Sequence, residues 1–519
     1  MSFLLLLPVL APVVIGLALA FIPGLDARKP RTILTVITLI ATVGLLLPVL
    51  LQEDLTLTLF TLSDSLPVFL HADTLGKIFA CVMAFVWAVA GLYSFHYMAH
   101  EGKEKRYYAL YLISLGILMG LCFSGSIITF YMFFEAMTLL TMPMVMHSGK
   151  KEAVAAGLKY LIYSVLGASL VLLGVFVLSP YVTTFAFTDG GVLNMEKVAG
   201  HEGFVMTFAL LMLMGFGAKA GLFPLHGWLP TAHPAAPSPA SAVLSGVITK
   251  AGVLGVARLL LSYLGADFLR GTWVQTAFMS LTLLTVFTGS LLALRENHLK
   301  RRLAWSSVSQ VSYILFGLST LTPAGFVGAL LHVVCHSLVK DTLFMSAGAI
   351  ILKTEKTDVR DLEGIGRRMP VTMGCFTVAS LGLIGIPPCM GFISKWYLAQ
   401  GSLAATGVPT FFTWLGPVVL LVSALLTAGY LMPVISNGFF KSGHHLTKAQ
   451  ALASHGDCEQ SHELVGHQSD PQGDHHTEKD DVPYTMLVPL LVLAVLSVLL
   501  GAFPGPLTEL FTQLAAALV

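Results

Sequence analysis

Apolar runs of about 20 residues recur along the whole chain. A helix of about 20 apolar residues spans the hydrocarbon core of a bilayer, so the pattern predicts an all-α membrane protein with about 14 transmembrane helices. The first run contains Ala18, Leu19 and Ala20, as a signal-peptide cleavage site does, but no Lys or Arg precedes Arg28, so we interpret it as the first span. The predicted spans are 3–22, 32–52, 75–98, 107–124, 126–147, 157–180, 205–227, 238–263, 273–294, 303–320, 324–352, 371–400, 412–439 and 484–503.

Basic residues are concentrated in alternate loops. The loops that follow spans 1, 3, 5, 9, 11 and 13 contain 20 Lys and Arg residues, and the loop after span 7 contains none. The loops of the opposite set contain only Lys197 and Arg270. The positive-inside rule therefore predicts that the first set is cytoplasmic and that both termini lie on the outer side.

Composition excludes several classes of protein. The chain has 519 residues, 55% hydrophobic and 11% charged, which is too little charge for a typical soluble domain. No run of basic residues is longer than one loop, so nucleic-acid binding is not expected. The six cysteines have no CxxC or metal-ligand spacing, and nucleotide and haem motifs are absent. We therefore expect no metal site, no cofactor and no redox chemistry on this chain.

The segment 441–481 is the one long polar stretch, with seven histidines and eight acidic residues. The histidines have no regular spacing, so a solvated cytoplasmic loop is the preferred interpretation. A metal-binding tract is the alternative.

Charged residues inside the predicted spans are the strongest functional signal. Each costs about 2.5–3.5 kcal/mol on insertion scales, so an unused one should be rare. Lys77 and Arg258 lie near span ends and are expected to extend to the membrane interface. Lys159 is either an anchor or an accessory functional residue. The group expected to move ions comprises Glu135, Lys219, Lys250, Lys340 and Lys395, with Asp341 as a further accessory candidate.

Spans 7 and 12 combine a lysine with proline. Pro224 follows Lys219, and Pro387 and Pro388 precede Lys395. Proline breaks or kinks a helix, and freed carbonyls are tolerated in a membrane only inside protein or beside water. Two such helices five spans apart predict two inverted five-helix repeats, spans 4–8 and 9–13, with helices 7 and 12 broken. Simple kinks are the alternative.

Three titratable residues form a stripe on span 11. His332, His336 and Lys340 recur at every fourth position and therefore share one helix face. Such a stripe is more typical of a proton relay than of packing. Zinc binding by the two histidines is the alternative, but no third ligand is evident.

These motifs resemble one known family. FYMFFEAMTL, KAGLFPLHGWLPTAHPAAPSPASAVLSGVITKAG, HVVCHSLVKDTLFMSAG and GIPPCMGFISKW are similar to the antiporter-like subunits shared by respiratory complex I, Mrp-type Na⁺/H⁺ antiporters and membrane-bound group 4 hydrogenases. The resemblance extends over nearly the whole chain and is strongest to the D-type component of Mrp antiporters and to the hydrogenase-type subunits. It implies a chain in the inner (cytoplasmic) membrane of a prokaryote.

The resemblance also implies a role for each buried residue. Glu135 and Lys219 resemble the glutamate–lysine pair of the first half-channel. Lys250 resembles the central lysine, and Lys395 the terminal lysine of the second half-channel, joined by the span 11 stripe. Span 10 has no acid to match Glu135, so Lys395 is expected to find its partner on a neighbouring subunit, with Asp341 as the alternative within the chain.

The expected organisation follows from these assignments. Residues 1–106 form spans 1–3, 107–263 the first half-channel repeat, 273–440 the second, 441–481 the polar loop and 482–519 the C-terminal span. The expected function is proton or Na⁺ translocation within a redox-driven complex related to hydrogenases or complex I, together with other membrane subunits and peripheral redox subunits. A role like that of the D-type component in an Mrp antiporter is the alternative. An independent carrier for an organic solute is less favoured, because such carriers need a roomy central site.

Overall fold

Helices account for most of the described residues in the computed structural model, which describes residues 2–52, 54–63, 66–440 and 480–519. Most of the segment 441–481 therefore lies outside the described residues. In chain order the helices are α1 (Leu7–Phe21), α2 (Arg28–Leu50), α3 (Thr74–Glu101), α4 (Glu104–Cys122), α5 (Ile127–Val145), α6 (Lys151–Leu178), α7 (Met195–Val198), α8 (Glu202–Ala220), α9 (Leu229–Ala235), α10 (Ser238–Tyr263), α11 (Ala266–Leu269), α12 (Trp273–Arg295), α13 (Leu299–Ser319), α14 (Pro323–Thr354), α15 (Ile365–Arg368), α16 (Pro370–Ile384), α17 (Met390–Leu403), α18 (Thr410–Phe440), α19 (Tyr484–Ala502) and α20 (Gly505–Leu518).

Ten of the described helices are long and apolar enough to cross a membrane: α2, α3, α5, α6, α8, α10, α12, α14, α18 and α19. Two shorter apolar helices, α1 and α16, accompany them. Helices α10 and α14 are enclosed by the others, with 100% and 89% of their most apolar windows buried inside the chain. The prediction of a mostly helical membrane protein is therefore confirmed, and these two central helices are the ones that carry Lys250 and the histidine stripe.

The basic loops meet at one end of the helix bundle, called here the basic end. Arg31 and Glu104 form an ion pair of 2.7 Å between the first two of these loops. Lys353 and Asp480 form another of 2.7 Å between the last two. A cavity of about 290 Å³ at this end is lined by Lys150 and Lys300 and by neighbouring residues from five loops. The loops that the sequence grouped by charge therefore lie together in space.

The opposite end, called the far end, contains two elements that the sequence analysis missed. One is an antiparallel hairpin, β1 (Thr56–Thr61) and β2 (Pro67–His71), with an irregular register between Thr58 and Phe60. The other is α20, which follows the last predicted span. Alternating Thr and Leu over residues 56–61 is the period of a strand and was the available signal for the hairpin.

Arg258 has a partner that the sequence did not reveal. It lies near the far-end terminus of α10, is 4% exposed and forms a bidentate ion pair with Asp73. Asp73 caps α3 by accepting a hydrogen bond from the Gly76 N–H (3.0 Å). Burial opposes ionisation of Asp73, but the Arg258 guanidinium and the capping N–H outweigh it and hold the pKa of this carboxyl below its ordinary value. Lys77 also lies near a span end and donates to the Gln52 carbonyl (2.6 Å).

Both predicted helix breaks are present, and each begins at a glycine. Helix α8 ends at Ala220 and is capped by Gly221 with φ +86°. Helix α16 ends at Ile384 and is capped by Gly385 with φ +91°. A left-handed residue that closes a helix is normally glycine, because a Cβ is disfavoured there. The prolines therefore follow the end of each first helical segment and do not create it.

Candidate functional site

Lys219 lies in the last turn of α8, directly before the break. Its buried ammonium group donates hydrogen bonds to the hydroxyls of Thr138 (2.6 Å) and Ser164 (3.3 Å). The rings of Phe134 and Tyr160 cover it, with Nζ 5.4 and 4.6 Å from their centroids. Hydroxyls and aromatic faces thus replace water around this amine without neutralising its charge.

Glu135 is the nearest acidic residue, and it does not touch Lys219. It is half-buried on α5, on the same side as Met132 and Leu139, which are 38% and 55% exposed. It interacts electrostatically with Lys219. No direct ion pair between the two occurs among the ion pairs of the described residues. The glutamate and lysine are therefore neighbours in an open arrangement.

Lys250 lies at the centre of the polar residues. It follows a π-helical turn of α10, Leu244–Ile248, and donates to the Ser245 carbonyl (2.7 Å). Its Nζ is 2.5 Å from Nδ1 of His336 on α14. Single π-helical turns often occur at functional sites, because they reorient the side chains around them. Here the turn brings an amine and an imidazole from two buried helices into direct contact.

Asp341 is the acidic residue that faces Lys250. It is fully buried and interacts electrostatically with the lysine. Its carboxylate packs on the backbone of α10: a Cβ added to Gly246 would lie 1.7 Å from Oδ1. Neither carboxylate oxygen accepts a hydrogen bond from the described part of the chain. Asp341 thus belongs to the Lys250 group and not to Lys395.

His332 connects the centre to the second broken helix. Its ring centroid is 6.2 Å from that of His336. Its Nδ1 is 2.9 Å from the hydroxyl of Ser394, the residue before Lys395, and its Nε2 is 3.2 Å from the side-chain oxygen of Gln310. The predicted histidine stripe is thus placed between Lys250 and Lys395 in space as well as in sequence.

Lys395 is held differently from Lys219. Its Nζ donates to the carbonyls of Leu383 (2.7 Å) and Ile384 (2.8 Å), the last residues of α16. The carbonyls at a helix end have no partner within the helix, and the negative end of the helix dipole favours a cation there. The Tyr313 ring lies 5.2 Å from Nζ and stacks on His332. Lys395 itself is half-buried.

The amine of Lys340 points away from the two histidines of the stripe. Lys340 shares a helix face with the histidines, but its amine turns towards α13, where it bonds the Leu303 carbonyl (3.0 Å) and the Ser306 hydroxyl. Lys159, the accessory candidate, is half-buried on α6 and interacts electrostatically with His226. Lys340 thus remains electrostatically coupled to Lys250 and His336, whereas Lys159 interacts with a residue outside the predicted set.

Sequence reasoning missed the hydroxyl groups that hold the lysines. Helix α13 buries Ser306, Ser307, Ser309, Gln310 and Ser312 inside the bundle. A run of buried polar residues in an otherwise apolar span was the available signal. Among the described residues, no group of three or more His, Cys, Asp and Glu side chains could hold a metal ion.

Comparison with known sequences identifies relatives of this arrangement. Residues 124–436 match the family described as NADH:quinone oxidoreductase/Mrp antiporter, TM. The chain is 36% identical over 442 residues to NADH-quinone oxidoreductase subunit N of Desulforudis audaxviator, covering 83% of this chain and 81% of that one. It is 31% identical to hydrogenase-4 component B of Escherichia coli, covering 83% of this chain but only 62% of that protein. It is 28% identical to the D-type component of the Na⁺/H⁺ antiporter of Bacillus subtilis, covering 78% and 81%.

Solved structures share the fold at low sequence identity. A chain of the Mrp complex from Dietzia superimposes with a TM-score of 0.78 at 22% identity, covering 100% of this chain and 97% of that one. A chain of an archaeal membrane-bound sulfane sulfur reductase gives 0.81 at 23%, covering 98% and 96%. The sequence match over more than half of the chain agrees with this likeness of fold. The chain therefore belongs to the NADH:quinone oxidoreductase/Mrp antiporter transmembrane family of antiporter-like membrane subunits.

Proposed function

We propose that this chain is the proton-translocating membrane subunit of a redox-driven complex related to hydrogenases and complex I, with Na⁺ as the alternative ion. The observation that carries the proposal is the Lys250–His336 contact of 2.5 Å within a set of buried titratable groups that runs from Lys219 to Lys395. Buried charges in a membrane are costly unless they serve the movement of ions. Family membership agrees with this role.

In the proposed mechanism, opening and closing of the Glu135–Lys219 pair drives protons along the set. In the open arrangement Glu135 forms no direct ion pair with Lys219, which favours release of the lysine's proton towards Lys250. His336 and His332 then carry the proton to Lys395 through direct contacts and intervening water. The groups are strongly coupled, so they titrate as a set and not one by one.

We further propose the topology inferred from the sequence. Fourteen spans form two inverted repeats, spans 4–8 within residues 107–263 and spans 9–13 within 273–440. The matched glycine-capped breaks after Ala220 and Ile384 support the repeats, since a lysine accompanies each break. The clustering of basic loops supports a cytoplasmic basic end in a prokaryotic inner membrane, with both termini outside.

We also propose that Lys395 is completed by a neighbouring membrane subunit. Its helix neighbours Phe392 and Trp396 are 38% and 58% exposed, so this face of α17 is open on the chain by itself. No acidic side chain of the described residues forms an ion pair with Lys395. Glu135 has a similarly open position on α5, so a related subunit could present such an acid to Lys395.

Transport by the intact complex in sealed vesicles tests the proposal. Lys219→Ala should lower driven proton transport by at least roughly 100-fold, the contribution typical of a positioned proton-transfer group. Lys77→Ala is the matched control, because Lys77 bonds a carbonyl near a span end and lies outside the polar set; it should remain within about twofold of the parent. Unchanged transport after Lys219→Ala or Glu135→Ala would rule the mechanism out.

A role like that of the D-type component in an Mrp antiporter is the second candidate. The likeness to the D-type component of the Na⁺/H⁺ antiporter of Alkalihalophilus pseudofirmus, at 26% identity, extends over 99% of this chain and 97% of that one. Purification in mild detergent followed by mass spectrometry of co-purifying chains separates the candidates. Iron–sulfur or hydrogenase-like partners support the redox-driven complex. Small membrane subunits alone, with Na⁺ uptake driven by an imposed pH gradient, support the antiporter.

A further inference from the structure

The far end contains a cavity that is large enough for water. None of the residues proposed to carry protons lines it. This far-end cavity has a volume of about 530 Å³ and is lined by Asp73, Lys77, Arg258 and residues of the loop 187–189, with α20 along one side. A water molecule occupies about 30 Å³ of liquid, so the cavity has room for on the order of 15 waters. Its charged lining makes it a hydrated vestibule.

The floor of the vestibule is fixed by Arg258, two helical turns beyond Lys250 on α10. The Asp73–Arg258 ion pair orients the guanidinium, which lies 5.2 Å from the ring centroid of Phe187. Eight residues of helix correspond to about 12 Å. The floor of the vestibule therefore lies about 12 Å along α10 from Lys250.

Phenylalanine side chains fill the space between this floor and Lys219. Phe187 contacts Phe130 with ring centroids 6.3 Å apart. Phe130 contacts Phe216 and Phe134 at 5.5 and 6.0 Å, and these two contact each other at 5.4 Å. Lys219 lies over Phe134 on the other side of the cluster. Phe130, Phe134 and Phe216 are each no more than 1% exposed.

Helix α5 changes character along this line. From the far end towards the basic end, its inward face presents Phe130, Phe134, Thr138 and then Thr141. Thr138 bonds Lys219, and the Thr141 hydroxyl lies 2.8 Å from that of Tyr160. Polar groups therefore continue from Lys219 towards the basic end, whereas Phe134 and Phe130 follow on this face towards the vestibule.

We propose that Phe130, Phe134, Phe187 and Phe216 form a dry seal that separates Lys219 from the far-end vestibule. Hydrophobic constrictions block ions by excluding water, because an ion that loses its hydration without compensation is strongly destabilised. The seal restricts Lys219 to exchange with the basic end and the central relay. A proton on Lys219 then cannot return to the far end and short-circuit the pump. This inference rests on the proposed function, since it assigns an insulating element to the Lys219 site.

The seal can be tested by measuring passive proton leak in proteoliposomes that contain the intact complex. No reductant is added, and an imposed pH step is the only ion gradient. Phe130→Ser and Phe216→Ser should raise the leak at least tenfold, measured with an enclosed pH dye. Phe130→Leu should leave the leak unchanged, because leucine keeps the site apolar. Phe204→Ser is the matched control on α8, since Phe204 is 47% exposed and outside the cluster. Leak through the serine variants no greater than through Phe130→Leu overturns the seal.

Cysteine labelling tests the seal without altering the phenylalanines, so it remains informative if a serine variant fails to assemble. A membrane-impermeant maleimide added from the far end should modify Thr188→Cys, which lines the vestibule, and should leave Thr138→Cys unmodified relative to the parent. Modification of Thr138→Cys from that end overturns the seal. Failure of the proposed function has a different signature, namely undiminished driven transport by Lys219→Ala.

Discussion

The two broken helices hold their lysines by opposite means. In the first half, Lys219 is fully enclosed and bonded to side-chain hydroxyls from α5 and α6. In the second half, Lys395 is half-buried and bonded to two backbone carbonyls of the helix end beside it. The first arrangement depends on residues that can be replaced. The second depends on where a helix stops.

The difference suggests different tasks for the two halves. A lysine held by hydroxyls at the edge of two packed helices loses its contacts when those helices move, so its affinity for a proton responds to conformation. A lysine bonded to adjacent carbonyls of a broken helix moves with that helix and keeps its contacts. Under the proposed function, we therefore expect the first lysine to respond to helix movement and the second to keep a fixed position beside the helix end. Each of the following substitutions breaks or sharpens this comparison.

The largest effect is expected where both halves meet. Lys250→Met should reduce driven proton transport by at least roughly 100-fold, because it removes the amine that contacts His336 at the centre of the proposed path. Transport is measured in vesicles that contain the assembled complex. The substitution also leaves the Asp341 carboxylate without its cation, and an uncompensated buried charge costs about 3–5 kcal/mol.

A double variant separates these two consequences. Lys250→Met combined with Asp341→Asn removes both charges, so assembly should recover while transport stays absent. Assembly is followed by size-exclusion chromatography in detergent. Recovery of transport together with assembly would show that Lys250 only compensates the charge of Asp341. Lys250 would then not be the proton carrier between the two halves.

A tenfold effect is expected from the hydroxyls of the first half. Thr138→Val with Ser164→Ala removes both hydrogen-bond acceptors of Lys219 while keeping its volume and fold. A hydrogen bond to a charged group contributes about 1.5–3 kcal/mol, so the loss of the shorter Thr138 bond alone corresponds to roughly tenfold or more, and driven transport should fall by at least about tenfold. In the second half, Ile384→Val is the matched control, because it retains the carbonyl that binds Lys395. A similar loss from Ile384→Val would contradict the distinction between a lysine held by side-chain hydroxyls and a lysine held by backbone carbonyls.

The sequence predicted the elements of this comparison better than their contacts. Apolar runs located the helices, and prolines beside Lys219 and Lys395 located the breaks, because both signals are local in sequence. The hydroxyl partners of Lys219 come from residues 81 and 55 positions earlier in the chain, which no periodicity connects to it. Partners that distant follow from how helices pack, and one sequence does not contain that information.

Arg258 and the hairpin illustrate the same limit. The sequence placed Arg258 near the end of a span but did not reveal Asp73, which supplies a bidentate partner from the start of another helix. The hairpin 56–71 lies between two long apolar runs, and its short alternating pattern was not recognised beside them. Glu135 interacts electrostatically with Lys219, but the distance between the two charges depends on a side-chain arrangement that the sequence leaves open.

The smallest effect, and the sharpest distinction, is expected at the two capping glycines. An alanine Cβ at Gly385 would lie 3.1 Å from Cδ and 3.4 Å from Nζ of Lys395, whereas a Cβ at Gly221 would lie 2.4 Å from Leu229. Both positions have a left-handed φ, which costs an L-residue roughly 1–2 kcal/mol. Gly385→Ala should therefore lower transport by several-fold while the complex still assembles, because the methyl group contacts the Lys395 side chain where it bonds the helix end. Gly221→Ala should mainly lower thermal stability in detergent, because its methyl group meets an apolar packing contact and not Lys219. Equal losses of transport and stability in the two variants would mean that both breaks are structural, and that the second lysine is not held by its helix end in the working complex.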